Sequence, residues 1–334
     1  MEKVLSVAVP AYQVEKYIGH CLDHFVIPGI GQYVEVLVID DGSSDATGSI
    51  AQSYQKKYPM LFRYIIQENG GHGSAVNTGI RNAQGKYFMV ADGDDWLDSA
   101  DFWALVEKLA ACDVDLAVSH YTRVSDGQNV IIASGAPVYE KVLDFEKLDP
   151  AAYYFVLPAV CYRTCMLREM KLKLPEHICY DDLVYIMEPM LYVKKVVFFD
   201  LNYYRYRVGH PSQSTAQENL AVYYRQHRKV VMRILRFYEK HKNDTSQSMY
   251  LKTVAGKALK DHYYILLRCE PDMKKARQRL LKMDAVLKKT DPAWIRRTAK
   301  EILFLNMHRI TSYRFLPAFR KIAALKNRYR KENV

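Results

Sequence analysis

Cysteine is scarce in this sequence, and the few cysteines present do not form a recognisable site. Six cysteines are spread over 334 residues without a Cys-x-x-Cys pair. Cys161 and Cys165 could share a helix face, but no matching His or Cys pair follows them. A zinc site and a disulfide framework are therefore not expected, and we predict reduced, mostly buried thiols.

Long apolar runs are also missing. No stretch approaches the ~18 to 20 consecutive apolar residues that a membrane-spanning helix needs. The N-terminal sequence MEKVLSVAVPAY has no separate basic and apolar regions followed by a cleavage site, and it is typical of a first strand. These absences predict a cytoplasmic protein, with peripheral attachment to the inner face of the cell membrane left open.

Several familiar ligand-binding signatures are absent too. The glycine-rich stretch at 68–80 lacks Walker A spacing, and no Lys follows its last glycine. No glycine-rich loop follows the first strand, as the dinucleotide-binding fingerprint requires. The acidic stretch at 87–98 is not an EF-hand, because its sixth loop position is not Gly and Trp103 stands where a bidentate Glu belongs.

Charge is distributed unevenly along the chain. Residues 1–220 carry 19 Lys/Arg and 28 Asp/Glu, a net of −9, whereas residues 221–334 carry 29 and 9, a net of +20. A chain of this length suits one large domain or two. We therefore predict a domain boundary near residue 220, with different partners on its two sides.

Short apolar runs alternate with helical segments in the first half of the chain. The runs are LSVAVPAY (5–12), VEVLVIDD (34–41), FRYIIQE (62–68) and KYFMVAD (86–92). This alternation predicts an α/β fold with a mostly parallel central sheet covered on both faces. Further along we predict strands at 114–124 and 194–208, a hairpin and loop at 125–150, a helix at 180–193, and helices beyond 216 with breaks near Asn243, Pro271, Pro292 and Pro317.

Polar residues cluster at the carboxyl ends of the predicted strands, where parallel sheets bind ligands. They are Tyr12, Asp40, Asp41, Glu68, Asn69 and the residues from Asp92 to Asp95. In VIDDGSSDAT, Gly42 permits a tight turn, and the residues at 43–45 can cap the next helix. Capping alone does not explain the Asp pair at the strand end, so we favour a functional role for it.

The stretch YFMVADGDDWLD (87–98) places four carboxylates directly after an apolar strand. Neighbouring carboxylates repel, so either a basic side chain or a metal ion must lie there. Mg²⁺ and Mn²⁺ take one or two carboxylates plus substrate phosphate oxygens. Asp92 and Asp94 would lie on one side of an extended segment, with Gly93 easing the approach; a solvated acidic turn is the alternative.

The stretch ENGGHGSAVNTGI (68–80) precedes a helix. Its glycines allow backbone N–H groups to approach a ligand, and a helix N-terminus favours anions. An ordinary loop is the alternative here.

In this order, the motifs VAVPAYQVEKYI, VEVLVIDDGSSD, ENGGHGSAVNTGI and GKYFMVADGDDWLD resemble the nucleotide-sugar-binding half of family 2 glycosyltransferases with the GT-A fold. The resemblance covers residues 3–125 and, more loosely, 160–215. It implies a Rossmann-like GT-A catalytic domain at 1–220, with a nucleotide-sugar-binding half (1–125) and an acceptor-side half (126–220), followed by a basic α-helical region (221–334).

The activity that this resemblance implies is that of an inverting, metal-dependent hexosyltransferase. A sugar would move from a UDP-sugar to a hydroxyl of a glycan, polyol-phosphate or lipid-linked acceptor. The enzyme would be of the bacterial cell-surface polysaccharide or teichoic-acid type, with Mn²⁺ or Mg²⁺ as cofactor.

By position, the resemblance also implies a pocket for the nucleotide sugar. Its residues would be Pro10, Ala11, Tyr12, Glu15, Asp40, Asp41, Ser43, Asn69, Gly71, Asn77, Asp92 and Gly93. Asp40 would hydrogen-bond the base. The D-x-D-like motif, Asp92, Asp94 and Asp95, would bind the ribose and the metal on the diphosphate. Where the family often has a basic residue after the Asn of the third motif, this chain has Gly70-Gly71-His72.

The stretch LPEHICYDDLVYIMEPML resembles the family's acceptor-side segment, in which a Glu-Asp pair opens a helix. Here the pair is Asp181-Asp182, and by position Asp182 would be the general base. A hydroxyl is a weak nucleophile, and removing its proton helps it attack C1 in line with the departing UDP. A helix N-cap is the alternative role for either Asp.

The stretch YYRYRVGHPSQST (203–215) alternates Arg205 and Arg207 onto one face and then enters a polar loop. We interpret this loop as a closing flap that meets the pyrophosphate. Its contact residues would be Arg207, His210, Ser212 or Ser214. Surface charge followed by a turn is the alternative.

The basic helices after residue 220 allow three interpretations: nucleic-acid binding, an anionic membrane surface, or packing on the catalytic domain with charges outward. No nucleic-acid module is visible, and we favour the membrane or polyanion interpretation. The sequence also allows two other functions for the whole chain. One is a haloacid-dehalogenase-like phosphohydrolase, because VADGD imitates its nucleophile, although that nucleophile usually follows the first strand. The other is a non-catalytic polyanion-binding protein. The sequence leaves the oligomeric state open.

Overall fold

The computed structural model describes residues 3–125, 128–209, 217–302 and 304–320. The chain packs as two compact units, residues 1–210 with 234–253 and residues 211–233 with 254–334. Residues 234–253 thus belong to the first unit although they lie in the basic part of the sequence. The predicted boundary near residue 220 stays a prediction.

An eight-stranded sheet forms the centre of the first unit, in the order β3-β2-β1-β4-β10-β6-β11-β9. Its strands are β1 (Leu5–Ala11), β2 (Val34–Asp40), β3 (Phe62–Ile66), β4 (Tyr87–Val90), β6 (Leu116–Val118), β9 (Val142–Asp144), β10 (Val160–Arg163) and β11 (Lys195–Phe198). Strands β1 to β4 pair in parallel, whereas β10 is antiparallel to both of its neighbours. Every residue of β1 and β2 is buried, as expected for apolar strands covered on both faces. The prediction of a mainly parallel α/β sheet is confirmed.

A second sheet has four strands in the order β5-β12-β7-β8. They are β5 (Trp96–Leu97), β7 (Tyr121–Ser125), β8 (Gln128–Ile132) and β12 (Tyr204–Arg207). The predicted hairpin after residue 125 is formed by β7 and β8, which pair antiparallel.

Six helices of the first unit surround these sheets: α1 (Ile18–Asp23), α2 (Thr47–Lys57), α3 (His72–Asn82), α4 (Ser99–Ala111), α5 (Thr164–Glu169) and α6 (Asp182–Met187). Apolar side chains of α1 and α4 join one core with β1, β2 and β4, where Phe25 meets Phe102 edge-on at 5.4 Å between ring centroids. The helices therefore hold the carboxyl ends of the parallel strands in one place.

Two predicted strands are each divided in the structure. The runs at 114–124 and 194–208 were expected to be single strands, but each contributes one strand to each sheet. The two segments leave the first sheet together, since β6 pairs with β11 and β7 pairs with β12 in parallel. Between the sheets, His120 Nε2 lies 3.1 Å from Asp200 Oδ1. Polar residues interrupt both runs at the bend, Ser119 and His120 in the first and Asp200 and Asn202 in the second.

The predicted helix at 180–193 is also shorter than expected. Helix α6 has six residues and is followed by a 3₁₀ turn, Glu188–Leu191. Pro189 lies at the start of that turn, and a proline cannot donate the backbone hydrogen bond that continues an α-helix.

The region after residue 216 is helical, as predicted. Its helices are α7 (Gln217–Val222), α8 (Tyr224–His241), α9 (Ser246–Tyr264), α10 (Met273–Thr290), α11 (Ala293–Glu301) and α12 (Leu305–Ile310), with a π-helical turn at Ile265–Cys269. The predicted breaks near Asn243, Pro271 and Pro292 fall between these helices. Within the described ranges, no helix combines the length and apolarity needed to cross a bilayer.

The core of the second unit contains a buried carboxylate. Asp284 accepts hydrogen bonds from the hydroxyls of Tyr263 and Tyr313 and from Arg309 Nε, the last two at 2.7 and 3.0 Å. A buried carboxylate needs such partners, and this network joins α10 to α9, to α12 and to the turn after α12.

Candidate active site

The candidate site lies where β2, β1 and β4 end side by side. Because these strands are neighbours and parallel, the residues after them meet at one edge of the sheet. The helix N-terminus of α3 and the segment before α6 reach the same edge. The polar clusters separated in the sequence thus become one site.

Asp40 is buried at the end of β2 and organises the turn after it. Its Oδ1 accepts the N–H of Ser43 at 2.8 Å, and its Oδ2 accepts the hydroxyl of Tyr64 at 2.8 Å. Gly48 of α2 packs against the same carboxylate, since a Cβ there would lie 2.6 Å from Oδ2. The predicted contacts of Asp40 and Ser43 with a nucleotide stay predictions.

Asp41 holds the glycine-rich loop. Its buried carboxylate accepts the backbone N–H groups of Gly70 and Gly71 at 2.9 and 2.7 Å and the side-chain amide of Gln67 at 2.7 Å. Asn69 donates to the backbone carbonyl of Asp41 at 2.9 Å. The glycine-loop N–H groups at 70 and 71 are therefore engaged by Asp41, where the sequence predicted that they would approach a ligand.

The loop after β1 offers an exposed aromatic ring. Tyr12 is 51% exposed, whereas Pro10 and Ala11 are buried in the strand. The carboxylate of Glu15 accepts the N–H of Ala46 at 3.0 Å, directly before α2. The predicted contacts of Pro10, Ala11 and Tyr12 with a nucleotide stay predictions.

The acidic loop after β4 divides its carboxylates between two roles. Asp95 is 1% exposed, and its two oxygens accept the N–H of Arg207 and the hydroxyl of Tyr204, both at 2.8 Å. Burial, together with the charges of Asp92 and Asp94, raises the pKa of Asp95 well above its ordinary value. Asp92, Asp94 and Asp98 are partly exposed.

Gly93 and Asp98 are explained by packing. A Cβ on Gly93 would lie 3.0 Å from the carbonyl oxygen of Pro10, so glycine lets the loop approach β1. Asp98 caps α4 by accepting the N–H of Asp101 at 3.1 Å, and it pairs with Arg205 at 3.2 Å.

Arg207 supplies positive charge beneath the acidic loop. Its guanidinium lies 4.7 Å from the ring of Trp96 and 5.1 Å from that of Tyr17, and its Nε donates to the carbonyl of Asp94 at 2.9 Å. This stacking favours the cation electrostatically. Its predicted contact with pyrophosphate stays a prediction, and the predicted flap residues His210 and Ser212 lie outside the described residues.

His72, to which the sequence assigned no role, links the two halves of the site. Its Nε2 lies 3.1 Å from Asp92 Oδ1, and its Nδ1 lies 2.8 Å from Asp181 Oδ2. Burial opposes protonation of the ring, but the two carboxylates outweigh it and raise the pKa of His72 well above its ordinary value. The sequence predicted a basic side chain or a metal ion beside the acidic loop, and a search for that basic side chain could have identified His72.

Asp181 and Asp182 differ in their surroundings. Asp181 is buried at the N-terminus of α6, where its side chain makes no capping hydrogen bond and instead contacts His72. Burial and the neighbouring charge of Asp181 raise the pKa of Asp182 to about 6. A carboxylate poised near neutral pH suits a general base.

The predicted site residue Asn77 lies on the inner side of α3. Its buried amide donates to the carbonyl of Leu174 at 3.0 Å and accepts the N–H of the same residue at 2.8 Å. This pair fastens the segment before α6 to α3, and any contact with a nucleotide stays a prediction.

Within the part of the chain that the structure describes, no three His, Cys, Asp or Glu side chains are grouped as a metal site. A cation held by one or two carboxylates and by substrate phosphates does not require such a group. Asp94 and Asp92 fit that mode because both are partly exposed, whereas Asp95 is 1% exposed.

Known proteins share both this sequence pattern and this architecture. Glycosyltransferase GlyA of Streptococcus pneumoniae is 30% identical over 224 residues, which are 63% of this chain and 31% of GlyA. The poly(ribitol-phosphate) β-N-acetylglucosaminyltransferase TarS of Staphylococcus aureus is 27% identical over 206 residues, 60% of this chain and 35% of TarS. The chain thus spans about a third of the length of these relatives.

Solved structures show the same fold. The structure of S. aureus TarS 1-349 with UDP-GlcNAc has a TM-score of 0.70 at 19% identity, covering 95% of this chain and 92% of that one. The mannosyltransferase PcManGT from Pyrobaculum calidifontis, solved with GDP-Man and Mn²⁺, has a TM-score of 0.50 at 15% identity, covering 90% and 87%. The predicted GT-A fold is confirmed.

The family description "Glycosyl transferase family 2" matches residues 6–173, which include the strand ends, the glycine loop and the acidic loop. That match covers half of the sequence. The chain therefore belongs to glycosyl transferase family 2.

Proposed function

We propose that this family 2 glycosyltransferase is an inverting, metal-dependent enzyme that moves a hexose from a UDP-sugar to an acceptor hydroxyl in the assembly of a cell-surface polymer. The observation that carries this proposal is the placement of Asp182, with its pKa of about 6, one residue from an Asp that is linked through His72 to the acidic loop. A general base and a diphosphate-binding loop thus share one site.

The donor half of the site would bind the nucleotide at the strand ends. Tyr12 would contact the base with its exposed ring, and the turn organised by Asp40 would form the wall beside it. Asp94 and Asp92 would hold a divalent cation, which supplies charge neutralisation on the departing diphosphate. TarS bound to UDP-GlcNAc and PcManGT bound to Mn²⁺ support this choice of donor and cofactor.

The acceptor half would act through Asp182. Its carboxylate would take the proton of the acceptor hydroxyl while the oxygen forms a bond to C1 of the sugar. The bond from C1 to the diphosphate oxygen breaks in the same displacement, and UDP leaves with the bonding electrons. A single displacement inverts the configuration at C1.

The proposed class of acceptor is supported by the similarity of this chain to TarS. The name of TarS specifies a poly(ribitol-phosphate) acceptor, which supports a polyol-phosphate, a glycan or a lipid-linked acceptor for this chain. Residues 6–173, which contain VADGD, match glycosyl transferase family 2, and this match favours sugar transfer over the phosphohydrolase and the non-catalytic alternative.

The test is UDP release from a panel of UDP-sugars, with Mn²⁺, Mg²⁺ or EDTA and with polyol-phosphate or glycan acceptors. We expect release from one donor, stopped by EDTA and increased by the correct acceptor. Binding of UDP by calorimetry supplies a second measurement when turnover is slow. Absence of both turnover and metal-dependent UDP binding would overturn the proposal.

In this proposal, the basic C-terminal region, residues 221–334, supports an anionic membrane surface as a partner. Residues 221–334 carry 29 Lys/Arg and 9 Asp/Glu. In its last described part, large apolar side chains are exposed beside these charges: Phe304 (49%), Met307 (54%), Ile310 (84%) and Phe315 (64%). Basic residues together with exposed apolar side chains suit the interface of an anionic leaflet, where a lipid-linked acceptor would also lie.

We expect the protein to sediment with vesicles that contain phosphatidylglycerol and not with phosphatidylcholine vesicles. Added salt should weaken this binding, because exposed charges are screened. Changing Ile310 and Phe315 together to Asp should abolish it, whereas Met60→Asp, at a 70% exposed apolar residue of the first unit, should not. Equal binding of both variants would contradict the assignment of the surface.

A further inference from the structure

The segment before α6 is fastened to α3 at several points. Besides the Asn77 amide, the N–H of His177 donates to the carbonyl of Gly70 at 2.6 Å. The approach is close enough that a Cβ on Gly73 would lie 2.3 Å from the carbonyl oxygen of Pro175 and 3.3 Å from Asp181 Cβ. Glycine is therefore required at 73, and the path of residues 174–181 depends on α3.

This path is conformationally unfavourable. His177 and Tyr180 have φ values of +54° and +69°, in the left-handed region that non-glycine residues rarely adopt. Tyr180 directly precedes the Asp181-Asp182 pair, and His177 lies four residues before Asp181. Backbone strain of this kind persists only where surrounding contacts enforce it, and it is concentrated at functional sites.

His72 is the first residue of α3 and contacts both sides of the site. Its ring nitrogens face Asp92 Oδ1 at 3.1 Å and Asp181 Oδ2 at 2.8 Å, across 20 and 109 residues of sequence. The imidazole is rigid, so these contacts set the separation of the two carboxylates. The Asp181 side chain is 4% exposed, which leaves little freedom at that end.

We propose that His72 is a positioning residue, which holds Asp181 and thereby fixes the start of α6 and the carboxylate of Asp182 relative to the donor-side loop at Asp92. This inference rests on the proposed function only for the role of Asp182. The mechanical part, that His72 restrains the segment 174–187, stands on the contacts alone.

The first measurement is hydrogen exchange of peptides covering 174–187 in the full chain, comparing His72→Ala with the wild type. We expect exchange at least about 10-fold faster in that segment, because the variant removes a contact that opposes local opening. The control is Glu176→Gln, which changes an exposed side chain of the same segment and keeps the backbone hydrogen bond of His177 to Gly70. Unchanged exchange in His72→Ala would overturn the proposal, whatever the activity of the enzyme.

The second measurement separates positioning from a general loss of structure. His72→Ala should lower kcat for transfer by about 10- to 100-fold, the cost expected when reacting groups are misplaced by about 1 Å, and should change the KM for donor much less. His72→Gln can still donate one hydrogen bond, so it should show an intermediate kcat with a melting temperature closer to that of the wild type. Equal losses in kcat and donor binding would contradict positioning of the base.

A double-mutant cycle identifies the residue through which His72 acts. If it acts through Asp181, His72→Ala should cost little further activity in an Asp181→Ala background. Additive losses in that cycle would overturn the role of Asp181. Failure of the wild type to use any UDP-sugar would instead reject the proposed function, and the exchange measurement would still decide the restraint by His72.

Discussion

Replacing Asp182 by Asn is expected to lower kcat for sugar transfer by about 10²- to 10⁴-fold, the usual contribution of a general base. The amide has nearly the same shape but cannot take the proton of the acceptor hydroxyl. Binding of the UDP-sugar should change little, because the donor contacts in our proposal lie at the strand ends and the acidic loop. Steady-state transfer kinetics and calorimetry of donor binding measure the two effects separately.

A matched control is available in the same segment. Glu176 is exposed and pairs only loosely with Lys173, at 4.0 Å, so Glu176→Gln should transfer sugar at the wild-type rate. Wild-type turnover by Asp182→Asn would show that another group removes the proton and would reject this assignment.

The pH dependence of the wild type follows from the same residue. The base acts when ionised, so kcat/KM should fall as the pH is lowered through about 6, the pKa of Asp182 in the free enzyme. The folded state also binds this proton more tightly than the unfolded state, for which the pKa is near 3.8. Ionised Asp182 therefore destabilises the fold above pH 6, and Asp182→Asn should raise the melting temperature at pH 8. A fall of kcat/KM centred far from pH 6 would contradict the raised pKa of Asp182. A lower melting temperature of Asp182→Asn at pH 8 would contradict it too.

Replacing Asp94 by Ala is expected to weaken metal-dependent binding of the UDP-sugar by at least about 100-fold. Loss of residues that only support a metal ligand costs 10- to 100-fold in metal affinity, so loss of a ligand itself should cost no less. Asp94 is partly exposed, whereas Asp95 is 1% exposed. Calorimetric titration with UDP-sugar in Mn²⁺ and in EDTA gives the comparison.

Asp98→Asn is the control within the same loop. It lies four residues further along, caps α4 and pairs with Arg205, so its loss should affect stability and leave the metal dependence of binding intact. Unchanged binding by Asp94→Ala in the presence of Mn²⁺ would remove Asp94 from the proposed metal site.

Much of the fold was predictable because it depends on local patterns. Continuous apolar runs such as VEVLVIDD form strands buried on both faces, and prolines and capping residues separate the C-terminal helices near the predicted positions. The bends after β6 and β11 were not predictable in this way. They arise because two distant segments pair with each other in both sheets, and a strand pattern does not record its partner.

The sequence alone determined the parallel α/β sheet, the edge at which its polar residues gather, and the family to which the ordered motifs belong. The sheet and its polar edge follow from the spacing of residue types along short stretches of chain, and the family follows from the resemblance of the ordered motifs. Only the tertiary structure decided which carboxylates face the protein and which remain accessible, and only it brought His72 between Asp92 and Asp181. Those contacts join residues up to 109 positions apart, and their geometry depends on strand order and helix packing, which no local pattern specifies.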